Sequence, residues 1–69
     1  MITDMHGLFR NNTGFNQDIS MWNTASVVTM SNMFYSAHAF NQDIRDWDTS
    51  KVTNLSRMVY YATGIPLLF

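Results

Sequence analysis

The chain repeats itself every 25 residues, and no other feature limits its possible folds so strongly. Phe15, Asn16, Gln17, Asp18 and Ile19 return as Phe40, Asn41, Gln42, Asp43 and Ile44. Beyond that block, Trp22 returns as Trp47, Thr24 as Thr49, Val27 as Val52, Ser31 as Ser56, Met33 as Met58, Tyr35 as Tyr60 and Ala37 as Ala62. Residues 15–39 and 40–64 therefore share twelve identities in 25 pairs, where unrelated segments of this composition would share roughly one or two. The same phase runs back to the start, with Ile2, Met5, Leu8 and Phe9 aligned to Val27, Met30, Met33 and Phe34. The 69 residues thus divide as one repeat domain: a partial coil 1–14, coils 15–39 and 40–64, and a degenerate end 65–69 where Pro66, Leu67 and Leu68 replace the polar block.

A helix pair needs more than about thirty residues per repeat, whereas strand-containing leucine-rich repeats run from about 20 to 29. Met30, Met33, Phe34 and Ala37 follow the i, i+3, i+4, i+7 rule, which predicts a helical turn with Thr29 or Ser31 as its cap. Ile19 to Trp22, bounded by turn-forming residues, predicts a short strand. Neither element buries its apolar side alone, so successive copies are expected to stack, with Trp22 beside Trp47 and Ile19 beside Ile44. The expected fold class is an α/β repeat: a short, right-handed, leucine-rich-repeat-like solenoid of about 2.7 coils of 25 residues, each one short strand plus one helical turn.

The run Phe40, Asn41, Gln42, Asp43, Ile44, two residues, Trp47, Asp48, Thr49, Ser50, one residue, Val52, Thr53, Asn54, Leu55, two residues, Met58 resembles the repeats of BspA-like leucine-rich-repeat surface proteins. Mycoplasma surface lipoproteins carry similar repeats. The resemblance spans essentially the whole chain. It implies a noncatalytic binding or adhesion module that recognises a protein or a cell surface, in a secreted or surface-exposed setting. The Met1 to Asp4 start shows no basic segment followed by an apolar one, so no signal peptide is read in this chain and the compartment stays open.

Composition narrows the chemistry. A net charge of −1 supplies no field to gather nucleic acid or an anionic membrane, and no apolar run is long enough for membrane insertion. With no cysteine there is no disulfide, thiolate metal site or thiol nucleophile. His6 and His38 fall in different repeat phases, aligned with Ser31 and Thr13, and neither has a metal-ligand spacing. Asn16, Gln17 and Asp18 with their copies offer one carboxylate per coil; closing turns explains them better than a calcium site, although a calcium-dependent binder remains an alternative. Ser and Thr recur in phases that explain them without catalysis, so no enzyme and no cofactor is expected. Trp22 and Trp47 read first as structural residues and second as a ligand platform, and one threonine per coil, Thr24 and Thr49, makes only a thin ladder.

The interface candidates are Tyr35, Tyr60 and Tyr61 after the helical pattern, Arg45 and Asp46, and the apolar tail Leu67, Leu68 and Phe69. No cap is visible over either end of the array, and an uncovered apolar layer predicts a homodimer or higher homo-oligomer through the ends, most simply a twofold dimer. A protein partner of unknown identity is the first expectation, and a structural self-assembling repeat fragment is the alternative.

Overall fold

A computed structural model describes residues 1–64. Among them there is no helix and no extended strand, only the isolated parallel bridges Asp4 to Thr29 and Thr29 to Asn54. The α/β expectation of one strand and one helical turn per coil is therefore wrong for this chain. Residues Ile19 to Trp22, expected as a strand, form a reverse turn closed by Trp22 N–H donating to Ile19 C=O at 3.1 Å, and Trp47 closes the same turn on Ile44. Residues Met30 to Ala37, expected as a helical turn, form a ribbon of overlapping β-turns.

The ribbon occurs three times, at residues 5–12, 30–37 and 55–62. In the first, Leu8, Arg10 and Asn12 donate to the carbonyls of Met5, Gly7 and Phe9, and the same three bonds return 25 and 50 residues later. Gly7 and Asn11 have positive φ, as do Asn32 and Ser36, and Arg57 and Tyr61. Each is the third residue of a turn whose second residue has ordinary φ, the signature of type II. A left-handed residue every fourth position breaks any α-helix, because helical backbone tolerates no such dihedral. It also turns alternate N–H groups out of the ribbon. Those of Met5, Gly7, Phe9 and Asn11 reach the carbonyls of Thr29, Ser31, Met33 and Tyr35 in the second ribbon at 2.7–3.0 Å. Those of Met30, Asn32, Phe34 and Ser36 reach Asn54, Ser56, Met58 and Tyr60 in the third. The i, i+3, i+4 apolar spacing survives because two overlapping turns advance four residues, close to the 3.6 of a helix.

The small polar residues serve the remaining turns. Asp4, Asp18, Asn23, Asp43, Asp48 and Asn54 each accept, through a side-chain oxygen, the backbone N–H two residues on, at 2.8–3.1 Å. These Asx turns need an acceptor rather than a charge, which is why Asn23 and Asp48 exchange at one phase. Ser20 N–H, and then the Ser20 hydroxyl, hold the Asp18 carboxyl below the usual carboxylate range. For Asp48 the Ser50 hydroxyl comes first and the Ser50 N–H second. Between coils, Asn16 Oδ1 accepts Asn41 N–H at 2.8 Å, Gln42 Nε2 donates back to Asn16, and the buried Thr24 hydroxyl donates to Asp48 C=O at 3.1 Å.

Inside the stacked turns lie Met5, Ile19, Val27, Met30, Met33, Phe34, Ala37, Phe40, Ile44, Trp47, Met58 and Ala62. Phe9 stacks on Phe34 and Phe15 on Phe40 at 5.7 and 5.6 Å, each pair one repeat apart. Phe34 and Phe40 join the two columns at 4.3 Å. Each ring of this ladder buries apolar area in offset stacking, the arrangement that aromatic quadrupoles favour. Gly64 passes so close to the chain above that a Cβ there would lie 2.8 Å from His38 O and 2.9 Å from Phe40 O.

The two indoles share a phase without sharing an environment. Trp47 is buried, and its Nε1–H donates to Ile19 C=O at 3.0 Å. Trp22 is 39% exposed against 7% for Trp47, and it leans on Phe9 at 5.8 Å. One coil before Trp47 the chain supplies the acceptor; beside Trp22 lies an open cleft of about 500 Å³ lined by Met1, Ile2, Met5, Trp22, Asn23 and Ser26.

Candidate functional site

The ribbon geometry sets one column of side chains on the surface. Arg10, Tyr35 and Tyr60 occupy the same repeat phase, and Tyr61 follows Tyr60 at a left-handed position. Stacking the ribbons brings the Tyr35 and Tyr60 rings to 6.4 Å, while Tyr61 stands edge-on to both, at 5.7 and 6.2 Å. The Arg10 guanidinium carbon lies 5.3 Å from the centre of the Tyr35 ring, within reach of its electron-rich face. Tyr60 and Tyr61 are exposed and Tyr35 is half-buried. The result is an aromatic platform rimmed by hydroxyls and one cation. Apolar ring faces with polar edges recognise protein surfaces well, because they bury large area at little conformational cost.

The other expected interface residues do not join this platform. Arg45 makes a bidentate contact with Asp43, Nε to Oδ1 at 3.1 Å and Nη2 to Oδ2 at 2.9 Å. The Arg45 side chain, helped by its own backbone N–H, lowers the Asp43 carboxyl to about 2. Asp46 is exposed and has no hydrogen-bond partner among the described residues. Leu67, Leu68 and Phe69 lie outside the described residues.

Arg10 was not among the sequence candidates, although its phase, 25 residues before Tyr35, was the available signal. The alignment of His6 with Ser31 likewise becomes a contact: His6 Nδ1 and Ser31 Oγ are 2.6 Å apart. The Ser31 hydroxyl also receives Thr29 Oγ1–H at 3.2 Å, and the nearby Asp4 carboxylate takes the His6 backbone N–H rather than the ring. The pair therefore lacks the orienting carboxylate of a hydrolytic triad and reads as a bridge between the first two ribbons. His38 is exposed and far from this pair in repeat phase. Among the described residues no group of three or more His, Asp or Glu is arranged to hold a metal ion. The acids of the polar block are committed to their own turns, Asp18 to Ser20 and Asp43 to Arg45.

No curated protein and no solved structure gives a significant match to this chain. A family model does, over residues 1–66, and it is described as a Mycoplasma protein of unknown function, DUF285. With nearly the whole chain matched, this protein is a member of the DUF285 family of Mycoplasma proteins.

Proposed function

We propose that the chain is a noncatalytic recognition module, akin to the repeats of BspA-like surface proteins and displayed at a cell surface, that binds a partner protein through Tyr35, Tyr60, Tyr61 and Arg10. The observation that carries this reading is Tyr61. It sits at φ +58°, a position where its repeat equivalents are Asn11 and Ser36. A bulky side chain in the left-handed region costs roughly 1–2 kcal/mol, and Asn tolerates that region better. The ring is exposed, so burial repays little of the strain, and its edge-on contacts with Tyr35 and Tyr60 hold it within the platform. Strain held at an exposed aromatic supports a contact with something outside the chain.

The test uses a substitution that weakens binding while improving the fold. Tyr61→Asn removes the ring and relieves the backbone, and Tyr60→Ser removes the second exposed ring. Immobilised wild-type chain is challenged with host surface and soluble protein fractions, and each captured protein is then purified and titrated. The reading expects a purified protein whose affinity falls about 30-fold or more in Tyr61→Asn, as for an interface hot spot, while the melting temperature rises. A partner that binds wild type and both variants equally refutes it.

A further inference from the structure

The two ends of the stack carry complementary backbone edges. At the first ribbon, the carbonyls of Asp4, His6, Leu8 and Arg10 have no donor among the described residues, while their phase equivalents Thr29, Ser31, Met33 and Tyr35 each accept one from the ribbon before. At the third ribbon, the N–H groups of Leu55, Arg57, Val59 and Tyr61 have no acceptor among the described residues, while Met30, Asn32, Phe34 and Ser36 each donate to the ribbon after. One bond runs in the opposite sense. Val28 N–H donates to Thr3 C=O and Thr53 N–H to Val28 C=O, so Thr3 N–H is left over at one end and Thr53 C=O at the other.

We propose that copies of this chain associate head to tail, the 53–61 edge of one copy seating on the 3–10 edge of the next. Four donors meet four acceptors, and Thr53 C=O meets Thr3 N–H, in the register that the chain already uses twice between its own ribbons. Exposed backbone edges of this kind are templates for another chain. The side chains agree with the backbone. In the middle coil Val27, Met30 and Met33 are 0% exposed; at the ends Met5 and Met58 stay buried, whereas Ile2 and Leu8 on the first edge and Leu55 on the last are 53%, 49% and 46% exposed. A seated copy covers those three as the middle ribbon's are covered.

The polarity decides the symmetry. A twofold dimer through the 53–61 edges sets four donors against four donors, and one through the 3–10 edges sets acceptors against acceptors. The pairing is therefore heterologous, and each added copy presents a fresh edge, so growth stays open rather than closing at two. The proposal thus takes the higher homo-oligomer of the sequence expectation rather than its simplest form, the twofold dimer. It meets the tyrosine platform at one margin, since Arg10 C=O and Tyr61 N–H are edge groups and the register sets Arg10 of the next copy beside Tyr60 as Arg10 stands beside Tyr35. Substitutions at Leu8 and Leu55 leave the platform's side chains in place.

Two singly blocked variants test the proposal by analytical ultracentrifugation across the micromolar range. Leu55→Lys places a charge on the donor edge and Leu8→Lys on the acceptor edge, both at half-exposed positions; Leu55→Pro, which deletes an edge N–H, is a second donor-edge block. Circular dichroism confirms that each variant remains folded as wild type. The proposal expects wild-type mass to climb with concentration without a plateau, each variant alone to remain monomeric, and an equimolar mixture of Leu55→Lys with Leu8→Lys to form a complex that stops at two chains. Folded wild type that stays monomeric throughout overturns the proposal. So does either Lys variant forming dimers on its own, which marks a twofold contact, or a mixture that stays monomeric.

Discussion

Trp22 and Trp47 stand at one repeat phase, and replacing each with Phe should give very different costs. Trp47→Phe deletes the Nε1–H bond to Ile19 C=O at 3.0 Å inside the core. That carbonyl keeps Trp22 N–H as a second donor at 3.1 Å, so the loss is one net hydrogen bond rather than an orphaned group, about 1 kcal/mol. Shrinking a buried indole to a phenyl leaves a void of about 40 Å³, which at about 24 cal/mol per Å³ adds about 1 kcal/mol. The sum is about 2 kcal/mol, or a melting temperature lower by roughly 8–16 °C in a domain of this size. Trp22→Phe deletes no bond among the described residues and retains an aromatic ring against Phe9. Its cost should stay under about 0.5 kcal/mol, as for a surface substitution. Urea unfolding followed by far-ultraviolet circular dichroism measures both. Equal costs, or a larger cost at Trp22, would show that the indole of one coil does not rest on the turn of the coil before it.

Gly64→Ala drives a Cβ to 2.8 Å from His38 O and 2.9 Å from Phe40 O, both backbone atoms; chemical denaturation should show a loss of about 1–3 kcal/mol, the usual cost of overpacking. Arg57→Gly removes a side chain from φ +57° and should gain about 0.5 kcal/mol in the same assay, the left-handed penalty of about 1–2 kcal/mol less the chain entropy glycine adds to the unfolded state. Asp43, lowered to about 2 by Arg45, has a folded value below its unfolded one, so its contribution to stability is complete above about pH 5 and fades as the pH falls towards about 2. Arg45→Gln should raise the Asp43 carboxyl in a carbon-13 titration and flatten that acid-side loss. A titration that is the same in both proteins would remove Arg45 as the cause.

Much of the architecture is written in the 25-residue period, because stacked copies share contacts and like residues then serve like positions. Phe9 on Phe34 and Asn16 beneath Asn41 are direct products of that period. The local backbone was harder to read. Met30, Met33, Phe34 and Ala37 satisfy a helical template, and a ribbon advancing four residues per pair of turns satisfies it equally. The distinguishing signal is the left-handed position, plain at Gly7, Asn11 and Asn32 but hidden by Ser36, Arg57 and Tyr61, which seldom adopt it. Ile19 to Trp22 misled for a related reason: two apolar residues flanking two small or flexible ones fit a strand and a turn alike. At the candidate site the tyrosines were legible as candidates from their place after the apolar pattern, and Tyr60 and Tyr61 are exposed while Tyr35 is half-buried. Arg10 was not legible, because an unlike residue at the tyrosine phase does not announce a contact, although the period already set it one layer from Tyr35. The bond between His6 and Ser31 escaped for the same reason. Edge polarity lay beyond the sequence altogether, since backbone donors and acceptors carry no residue code.

Hydrogen-bond scalar couplings between amide nitrogen and carbonyl carbon, recorded on uniformly labelled chain, test the stacked-ribbon account most directly. They should link Met30, Asn32, Phe34 and Ser36 to Asn54, Ser56, Met58 and Tyr60, each acceptor 24 residues ahead of its donor. Couplings from Phe34 and its neighbours to carbonyls four residues behind them would instead establish a helix there, and the ribbon, its edges and the tyrosine column would fall with it.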